Sequence, residues 1–243
     1  VTEPTALTAA ANATDASCFG DANGTATVIP AGGTPDYTYA WDDPATQTTV
    51  QATGLLAGTY TVTITDNSGC ETTASSIVNE PAELTATATG MDVNCAFGTD
   101  GTVTANPVGV TTPYTYEWDD TDSQTTMTSS GLEDVIYTVT VTDNNGCVTD
   151  GTISVNEPAA ITLSTTVDAE VSCNGFVDGS ATVTASGGSL PYTYDWDSGE
   201  TTATATMLDA STHVVTVTDV NGCFNTTSVM ISEPPVLATD ITL

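Results

Sequence analysis

Positive charge is almost absent from this sequence. Its 243 residues include no lysine, no arginine and one histidine, against 31 aspartates and glutamates, which gives a formal net charge of −31. A chain without cations cannot neutralise phosphate groups, so nucleic-acid binding is excluded. Anionic membrane surfaces would repel the chain for the same reason.

Patterns for catalysis and membrane insertion are missing as well. The longest apolar runs fall far short of the roughly 20 residues that span a bilayer, so membrane insertion is not expected. One histidine, His213, cannot supply a Ser-His-Asp site in each part of the chain, and no glycine-rich phosphate loop occurs. The adjacent carboxylates Asp42–Asp43 and Asp119–Asp120 suit acid–base catalysis poorly, because neighbours at a strand end point to opposite faces. The sequence therefore predicts a protein that is not an enzyme and requires no cofactor.

The sequence does contain a repeat of about 77 residues. Tryptophans recur with this period, and so do two sets of cysteines and the dipeptide Glu-Pro. The Glu-Pro pairs are Glu3-Pro4, Glu80-Pro81, Glu157-Pro158 and Glu233-Pro234. The tryptophans are Trp41, Trp118 and Trp196. The predicted units are 1–80, 81–157 and 158–233, with 234–243 as the first strand of a following unit. Because Val1 falls inside a unit and no signal peptide is visible, we expect a piece of a longer protein.

Each unit has the residue pattern of short β-strands. Threonine alternates with valine, isoleucine and tyrosine, and turn signals such as Asp143–Gly146 recur every 8–12 residues. In the second unit we predict strands at Leu84–Thr89, Thr102–Ala105, Pro113–Trp118, Gln124–Ser130, Tyr137–Thr142 and Val148–Val155. The pattern indicates an all-β protein, a tandem array of three immunoglobulin-like β-sandwiches.

Aromatic residues mark the predicted core. Each tryptophan falls on the third strand, where immunoglobulin-like sandwiches bury one. Tyr60 and Tyr137 each follow a leucine by five residues and resemble a tyrosine corner, whose hydroxyl bonds to nearby backbone. His213 occupies the same place in the third unit, so we predict a structural role for it rather than a catalytic or metal-binding one.

The cysteines indicate disulfides, since no C-x-x-C spacing of a zinc site occurs. We count four strands between the two cysteines of a unit, and an up-and-down path through four strands returns to its starting end. This predicts one disulfide within each unit. If a seventh short strand lies in the acidic turn after the tryptophan, the parity reverses and the bonds run between neighbouring units. The predicted pairs are Cys18–Cys70, Cys95–Cys147 and Cys173–Cys223.

Acidic residues recur beside the cysteines and make calcium the candidate metal. Ca²⁺ takes six to eight oxygen ligands, and a disulfide within a unit would gather three carboxylates. The alternative is that these side chains cap their own turns. The candidate ligands are Asp15, Asp21 and Asp66 in the first unit, Asp92, Asp100 and Asp143 in the second, and Glu170, Asp178 and Asp219 in the third.

These motifs resemble those of the SprB repeat, which is found in giant surface adhesins of gliding bacteria. The family pattern is P-Y-x-Y-x-W followed by G-x-Y-x-V-x-V-x-D-x-x-G-C. The matching segments are PYTYEWDD from Pro113, PYTYDWDSG from Pro191, YTVTVTDNNGC from Tyr137 and VTVTDVNGC from Val215. The first unit departs slightly, with PDYTYAW from Pro35, and His213 replaces the usual tyrosine. The resemblance implies an exported, extracellular protein of the cell surface that is adhesive or builds filaments.

Two functions remain open on the sequence alone. A semi-rigid spacer or fibre building block is favoured, because the links between units are little more than Glu-Pro and proline restricts both itself and its predecessor. The alternative is a carbohydrate- or surface-binding module, which would need an exposed row of aromatic side chains. The expected partners are neighbouring repeats of the same chain, other copies in a fibre, and surface polysaccharide.

Overall fold

The protein is built from β-strands connected by turns. The computed structural model describes residues 5–109 and 111–237, and in this part of the chain no helix is long and apolar enough to cross a bilayer. The strands of repeat 1 are Thr8–Thr14 (β1), Gly24–Ala31 (β2), Thr38–Trp41 (β3), Gln51–Leu55 (β4), Gly58–Thr65 (β5) and Glu71–Val78 (β6). Those of repeat 2 are Thr85–Met91 (β7), Gly101–Val108 (β8), Thr115–Trp118 (β9), Thr128–Leu132 (β10), Ile136–Thr142 (β11) and Val148–Ser154 (β12). Those of repeat 3 are Thr162–Ala169 (β13), Gly179–Ser186 (β14), Thr193–Trp196 (β15), Thr204–Leu208 (β16), Thr212–Thr218 (β17) and Phe224–Met230 (β18).

The strands of each repeat form two three-stranded sheets. The first, second and fourth strands make one sheet, and the third, fifth and sixth make the other, as in β1-β2-β4 and β3-β5-β6. This arrangement confirms the predicted all-β, immunoglobulin-like array. The strands predicted for repeat 2 are also found, except that the fourth is shifted from Gln124–Ser130 to Thr128–Leu132. The shift ends in a bulge between Ser130 and Leu132, where Gly131 takes a positive φ of 77°. Of the predicted strand at 234–243, residues 238–243 lie outside the described part of the chain, and 234–237 form no strand.

The contacts divide the chain into two compact units that do not coincide with the repeats. One unit contains Val1–Ala88, Ala105–Met127 and Thr138–Thr152, and the other contains Thr89–Thr104, Thr128–Tyr137 and Ile153–Leu243. Repeat 2 therefore contributes strands to both units.

The tryptophans anchor the apolar cores, as predicted. Trp41, Trp118 and Trp196 are 3%, 1% and 2% exposed. Each indole N–H also donates to a backbone carbonyl six or eight residues later, at 2.9–3.0 Å, so that all three buried indole donors have a partner. In repeat 1 the core consists of Ala26, Val28, Trp41, Ala52, Leu55, Val62, Ile64 and Val78. In repeat 3 it consists of Val171, Ala181, Val183, Trp196, Ala205, Leu208, Val215, Val217, Val229 and Ile231.

The predicted tyrosine corner is confirmed in repeats 1 and 2. The hydroxyl of Tyr60 donates to the Leu56 carbonyl at 3.0 Å, and that of Tyr137 donates to the Glu133 carbonyl at 3.3 Å. His213 replaces this tyrosine in repeat 3, and its Nε2 lies 3.2 Å from the Asp209 carbonyl. The histidine therefore makes the same bond across four residues that the tyrosines make.

Strand direction fixes which turns share an end of repeat 1. β5 and β6 are antiparallel neighbours, so the turn between them lies at the start of β6. Asn79, just after the end of β6, accepts a bond from the amide of Ala16 and donates from its own amide to Asp15, both at 2.9 Å. The turn between β1 and β2 therefore lies at the far end of β6. β6 has eight residues, which separates the two turns by about 26 Å at roughly 3.3 Å per residue.

We predict that Gly179→Ala destabilises repeat 3 by about 1–3 kcal/mol, because overpacking a tight site forces its neighbours to shift. A Cβ at Gly179 would lie 2.8 Å from Cγ2 of Ile231 and 3.0 Å from the Leu208 carbonyl oxygen. Denaturant unfolding of the full chain, followed by tryptophan fluorescence, measures the loss. The matched control is Thr184→Ala, an exposed change on the same strand that should stay within about 0.5 kcal/mol. Equal unfolding midpoints for the two variants would contradict the packing described here.

Candidate functional site

Two turns of each repeat carry its cysteines. The first-cysteine turn follows the first strand of the repeat, and the second-cysteine turn joins its fifth and sixth strands. The first-cysteine turns are residues 17–23, 94–100 and 172–178, and the second-cysteine turns are residues 66–70, 143–147 and 219–223.

An aspartate organises each second-cysteine turn. In every repeat its Oδ1 accepts the backbone N–H groups two and four residues later, so that the N–H of the cysteine is one of its donors. The distances are 2.9 and 2.8 Å for Asp66, 2.8 and 2.9 Å for Asp143, and 2.9 Å twice for Asp219. The aspartate therefore holds the cysteine backbone in one orientation in all three turns, including that of Cys70, which forms no disulfide in the described structure.

Two of these aspartates also reach the loop between the second and third strands. Oδ2 of Asp66 accepts the N–H of Thr34 at 2.8 Å, and Oδ2 of Asp219 accepts that of Ser189 at 2.9 Å. The bond from Thr34, with those from the turn itself, lowers the pKa of Asp66, and the bond from Ser189 has the same effect on the pKa of Asp219. Donors aimed at a carboxylate favour its charged form, so Asp66 and Asp219 keep their negative charge in moderately acidic solution.

The first-cysteine turn is held by two hydrogen-bond acceptors. One acceptor is the last residue of the turn, which bonds the backbone N–H of the residue before the cysteine. The Ser17 N–H donates to Asn23 at 3.0 Å, the Asn94 N–H to Asp100 at 3.0 Å, and the Ser172 N–H to Asp178 at 2.9 Å. In repeats 2 and 3 this acceptor is a carboxylate, and bonds from Asn94 lower the pKa of Asp100 as those from Ser172 lower the pKa of Asp178.

The second acceptor is the glutamate of the Glu-Pro pair that ends each repeat. Its carboxylate accepts a backbone N–H of the first-cysteine turn, from Gly20 to Glu80 at 2.6 Å, from Phe97 to Glu157, and from Gly175 to Glu233 at 2.7 Å. From the sequence we interpreted Glu-Pro only as a boundary between units. The signal that could have indicated this role is that the glutamate recurs together with the proline in each unit.

Both disulfides of the described structure join these turns between consecutive repeats. Cys18 of repeat 1 bonds to Cys147 of repeat 2, and Cys95 of repeat 2 bonds to Cys223 of repeat 3, with Cα–Cα distances of 5.6 and 5.5 Å. The predicted pairs Cys18–Cys70, Cys95–Cys147 and Cys173–Cys223 within units are therefore wrong. The alternative that the parity argument left open, bonds between neighbouring units, is the one found.

The same hydrogen bond accompanies both disulfides. Nδ2 of Asn145 donates to the Ser17 carbonyl at 3.3 Å, beside Cys18–Cys147. Nδ2 of Asn221 donates to the Asn94 carbonyl at 3.2 Å, beside Cys95–Cys223. In each case the side-chain amide of an asparagine two residues before the second cysteine donates to a backbone carbonyl. That carbonyl belongs to the residue immediately before the first cysteine.

The prediction failed because the acidic segment after the tryptophan does not reverse the chain. β2 is antiparallel to β4, and β3 is antiparallel to β5. Only Leu56 and Ala57 separate β4 from β5, so the chain reverses there, and β5 runs in the direction of β2. β3 and β4 therefore run the same way, and residues 42–50 cross the length of the repeat without forming a strand. Cys18 and Cys70 are left at opposite ends.

The adjacent aspartates of this crossing segment have structural partners. Asp42 accepts the N–H of Thr61 on β5 at 2.8 Å. Asp43 is 3% exposed and accepts the N–H groups of Ala45 and Gln47 at 3.1 and 2.9 Å. Burial by itself would raise the pKa of Asp43, but the bonds from Gln47 and Ala45 outweigh it and lower the pKa. These carboxylates fold the crossing segment onto the sheet.

The candidate calcium ligands do not gather as the sequence suggested. Asp15 bonds Asn79 at one end of β6, whereas Asp66 precedes β6 at the other end. In repeat 3, Glu170 accepts the N–H of Ser232 after β18, whereas Asp219 precedes that strand. Asp21 and Asp92 accept from the side-chain amides of Asn23 and Asn156, at 3.3 and 3.1 Å.

The nine carboxylates therefore have turn or strand-end partners. Across residues 5–109 and 111–237, no group of three or more His, Cys, Asp or Glu side chains is placed to hold a metal ion. Calcium binding by these turns stays a prediction of the sequence, now without the disulfide geometry on which we based it.

His213 lies between two carboxylates. In its protonated form Nδ1 donates to Oδ1 of Asp197 at 3.1 Å, and Nε2 donates to the Asp209 carbonyl at 3.2 Å. Nε2 also forms an ion pair with Oδ1 of Asp209 at 3.1 Å, and the imidazole is 10% exposed. Burial by itself would lower the pKa of His213. The Asp209 carbonyl and the two carboxylates outweigh burial, and they raise the pKa above its ordinary value near 6.5. The Asp197 carboxylate is conversely held below its usual pKa, since its bonds from Val214 and His213 outweigh its own burial.

We predict a pH-dependent stability that is specific to repeat 3. Because the folded pKa of His213 is raised, its contribution is complete below about pH 6.5 and is lost as the pH rises through the folded pKa. The matched variant is His213→Tyr, which restores the residue found at Tyr60 and Tyr137. Unfolding free energies measured from pH 5.5 to 8.5 should show wild type losing stability relative to this variant as the pH rises. A constant difference between the two proteins would contradict the ion-pair assignment.

The chain is similar in part to several known proteins. None of the curated proteins matches the chain. Among solved structures, the chain is similar to the three N-terminal domains of the bacteriophage RB49 outer capsid protein Hoc, with 14% identity, 95% of this chain and 100% of that one covered, and a TM-score of 0.45. It is similar to the titin I-band fragment I67-I69, with 13% identity, 97% and 100% covered, and a TM-score of 0.37. A 1.5-MDa bacterial ice-binding adhesin gives 17% identity, 96% and 98% covered, and a TM-score of 0.39.

One family model also matches the chain. The SprB repeat model matches residues 10–46, 85–123 and 164–201, one stretch in each of the three repeats. Each match begins in the first strand and extends to or past the tryptophan, so it includes the first-cysteine turn. The predicted resemblance is confirmed, since three regions of the chain, one in each repeat, match the SprB repeat model.

Proposed function

We propose that this chain is a structural segment of an extracellular cell-surface adhesin, in which disulfides brace each repeat to the next so that the array resists extension. The protein acts as a spacer or fibre building block and not as an enzyme. The observation that carries the proposal is that both disulfides connect consecutive repeats, Cys18 to Cys147 and Cys95 to Cys223. A disulfide inside a repeat would stabilise that repeat alone, whereas these bonds also bypass the links between repeats.

The bonds shorten the covalent path along which tension is carried. A pull between Val1 and Leu243 passes from Cys18 to Cys147, back along the chain to Cys95, and then to Cys223. This path follows about 90 of the 243 residues. At roughly 3.5 Å per extended residue, the unfolded chain reaches about 310 Å with its disulfides and about 850 Å without them. The braced array can therefore lose its folded structure under load without a large gain in length.

The aromatic side chains of the third strands support a spacer over a carbohydrate-binding module. Sugar rings stack on exposed aromatic faces, but the three tryptophans are almost fully buried. The tyrosines that share their strands, Tyr39, Tyr116 and Tyr194, are half-buried against the cores. The third strands thus present no open aromatic row within the described residues.

We predict that the disulfides limit extension under force. In single-molecule stretching of the chain held at its two ends, the contour length of the fully unfolded oxidised protein should be about one third of that in excess reductant. The same length in both conditions would contradict the bracing role.

Two variants separate this arrangement from bonds within repeats. Cys18→Ser opens one brace and should lengthen the oxidised chain to about 400 Å. Cys70→Ser should leave the length unchanged, since Cys70 forms no disulfide in the described structure. If the bonds ran within repeats, Cys70→Ser would instead lengthen the chain to about 490 Å.

A further inference from the structure

A groove with exposed apolar side chains lies beside each disulfide. The first junction groove, at Cys18–Cys147, has a volume of about 420 Å³, and the second junction groove, at Cys95–Cys223, has a volume of about 430 Å³. Each groove lies within one of the two compact units. Spaces of this size can take a side chain of a partner molecule or a small ligand.

Equivalent residues build the two grooves. Leu84 lines the first groove and Ile161 lines the second, and these side chains are 9% and 7% exposed. The residue directly after the second cysteine also lines each groove. It is Val148 in the first and Phe224 in the second, and these are 61% and 70% exposed. Each groove therefore combines a nearly buried apolar residue with an open apolar side chain.

A phenylalanine of the first-cysteine turn completes each groove. Phe19 in the first groove is 52% exposed, and Phe97 in the second is 85% exposed. Phe97 has a φ of 61°, whereas the other two turns have Gly20 and Gly175 at this place, with φ values of 74° and 82°. A positive φ is unfavourable for a bulky side chain, and glycine adopts it without strain. The second groove therefore keeps an open aromatic ring where neither burial nor backbone geometry favours one.

Carboxylates border the phenylalanine rings of both grooves. Phe97 also lines a neighbouring pocket of about 290 Å³, whose carboxylates are Glu133, Asp134 and Glu157. The carboxylates that line the first groove are Asp21 and Glu83. The chain has no lysine or arginine that could pair with them. The grooves therefore present apolar surface next to negative charge.

We propose that the junction grooves bind cationic segments of a partner protein. An apolar side chain of the segment enters the groove, and a neighbouring arginine or lysine lies against the phenylalanine ring and the carboxylates. The face of an aromatic ring attracts a guanidinium or ammonium group, and the carboxylates beside it supply a charged partner. This goes beyond the bracing role and does not depend on it, because it assigns a surface for recognition.

Charge favours this occupant over the others that an apolar groove could take. A second copy of the chain would bring a net charge of −31 to an acidic border and would be repelled. A neutral oligosaccharide could stack on the ring but would gain nothing from the charge of the carboxylates. A basic segment with apolar side chains gains from both features, and its attraction to the acidic chain also raises the association rate.

The test is isothermal titration calorimetry of the oxidised full chain at physiological salt, with a capped peptide of alternating arginine and leucine. Wild type should bind two peptides, one at each groove. A peptide of equal length and charge, with serine in place of leucine, should bind about tenfold more weakly, because it keeps the general attraction to the acidic chain but lacks the apolar side chains.

Phe97→Gly tests the second groove alone. It places glycine where the other two turns have Gly20 and Gly175, so the turn should fold and the unfolding midpoint should not fall. Binding of the arginine–leucine peptide should drop from two sites to one. The matched control is Phe176→Ala, which removes an exposed phenylalanine of a first-cysteine turn that lines neither groove, and it should leave both sites intact.

The charge of the border is tested by Glu133→Gln combined with Asp134→Asn. This double variant should bind the arginine–leucine peptide at the second groove about fivefold more weakly, because exposed charge pairs contribute modestly. An uncharged peptide of alternating serine and leucine should bind weakly, and equally to wild type and to the double variant.

The proposal makes outcomes that would overturn it easy to recognise. No binding, two intact sites in Phe97→Gly, or equal affinity for the two arginine peptides would leave only general charge attraction. Tighter binding of the uncharged peptide or of a neutral oligosaccharide would assign the grooves a different ligand. Self-association of wild type that Phe97→Gly abolishes would assign them to a second copy. The force measurement on the disulfides is independent of all these outcomes.

Discussion

The length of one β-strand determines how the whole array is connected. β6 separates the turn at Cys70 from the turn at Cys18 by about 26 Å. This is far longer than the Cα–Cα distance of 5.6 Å in the Cys18–Cys147 disulfide. A disulfide within repeat 1 is therefore geometrically excluded. Cys18 and Cys70 can each bond only a turn from another repeat, and both the connection between repeats and the bypass of the links follow from this separation.

The second constraint is a fold without cationic side chains. With no lysine or arginine, carboxylates have only His213 and uncharged donors as partners. The structure supplies backbone N–H groups, which bond the carboxylates of the second-cysteine turns, of the Glu-Pro glutamates and of Asp42. These bonds need no cationic partner, and those at the cysteine turns fix the turns in position. The same residues that make the chain strongly acidic are thus the ones that organise its junctions.

Much of the fold could be predicted because its signals are local. The burial of Trp118 follows from its place on the third strand of the unit, where immunoglobulin-like sandwiches bury a tryptophan. The place of His213 among the tyrosine corners was likewise fixed by its distance from a leucine, and its bond to the Asp209 carbonyl confirms the structural role. These inferences needed only the spacing within one unit.

The disulfides between repeats could not be predicted because they depend on the directions of strands that lie far apart in the sequence. Strand counting assumed a reversal after every strand, and residues 42–50 break that assumption without adding a strand. The calcium hypothesis inherited the same error, since it relied on a disulfide to bring Asp15 and Asp66 together. The role of Glu80 was missed for a related reason, because its partner Gly20 is 60 residues away in sequence.

The most direct test of this account is the disulfide map of the monomeric chain. Free thiols are alkylated, and the unreduced protein is then digested at acidic pH with pepsin, since trypsin has no sites and low pH suppresses exchange. Mass spectrometry should find peptides that join Cys18 to Cys147 and Cys95 to Cys223, with Cys70 and Cys173 alkylated. A peptide that joins Cys95 to Cys147, or Cys18 to Cys70, would contradict the central claim that the bonds run between repeats.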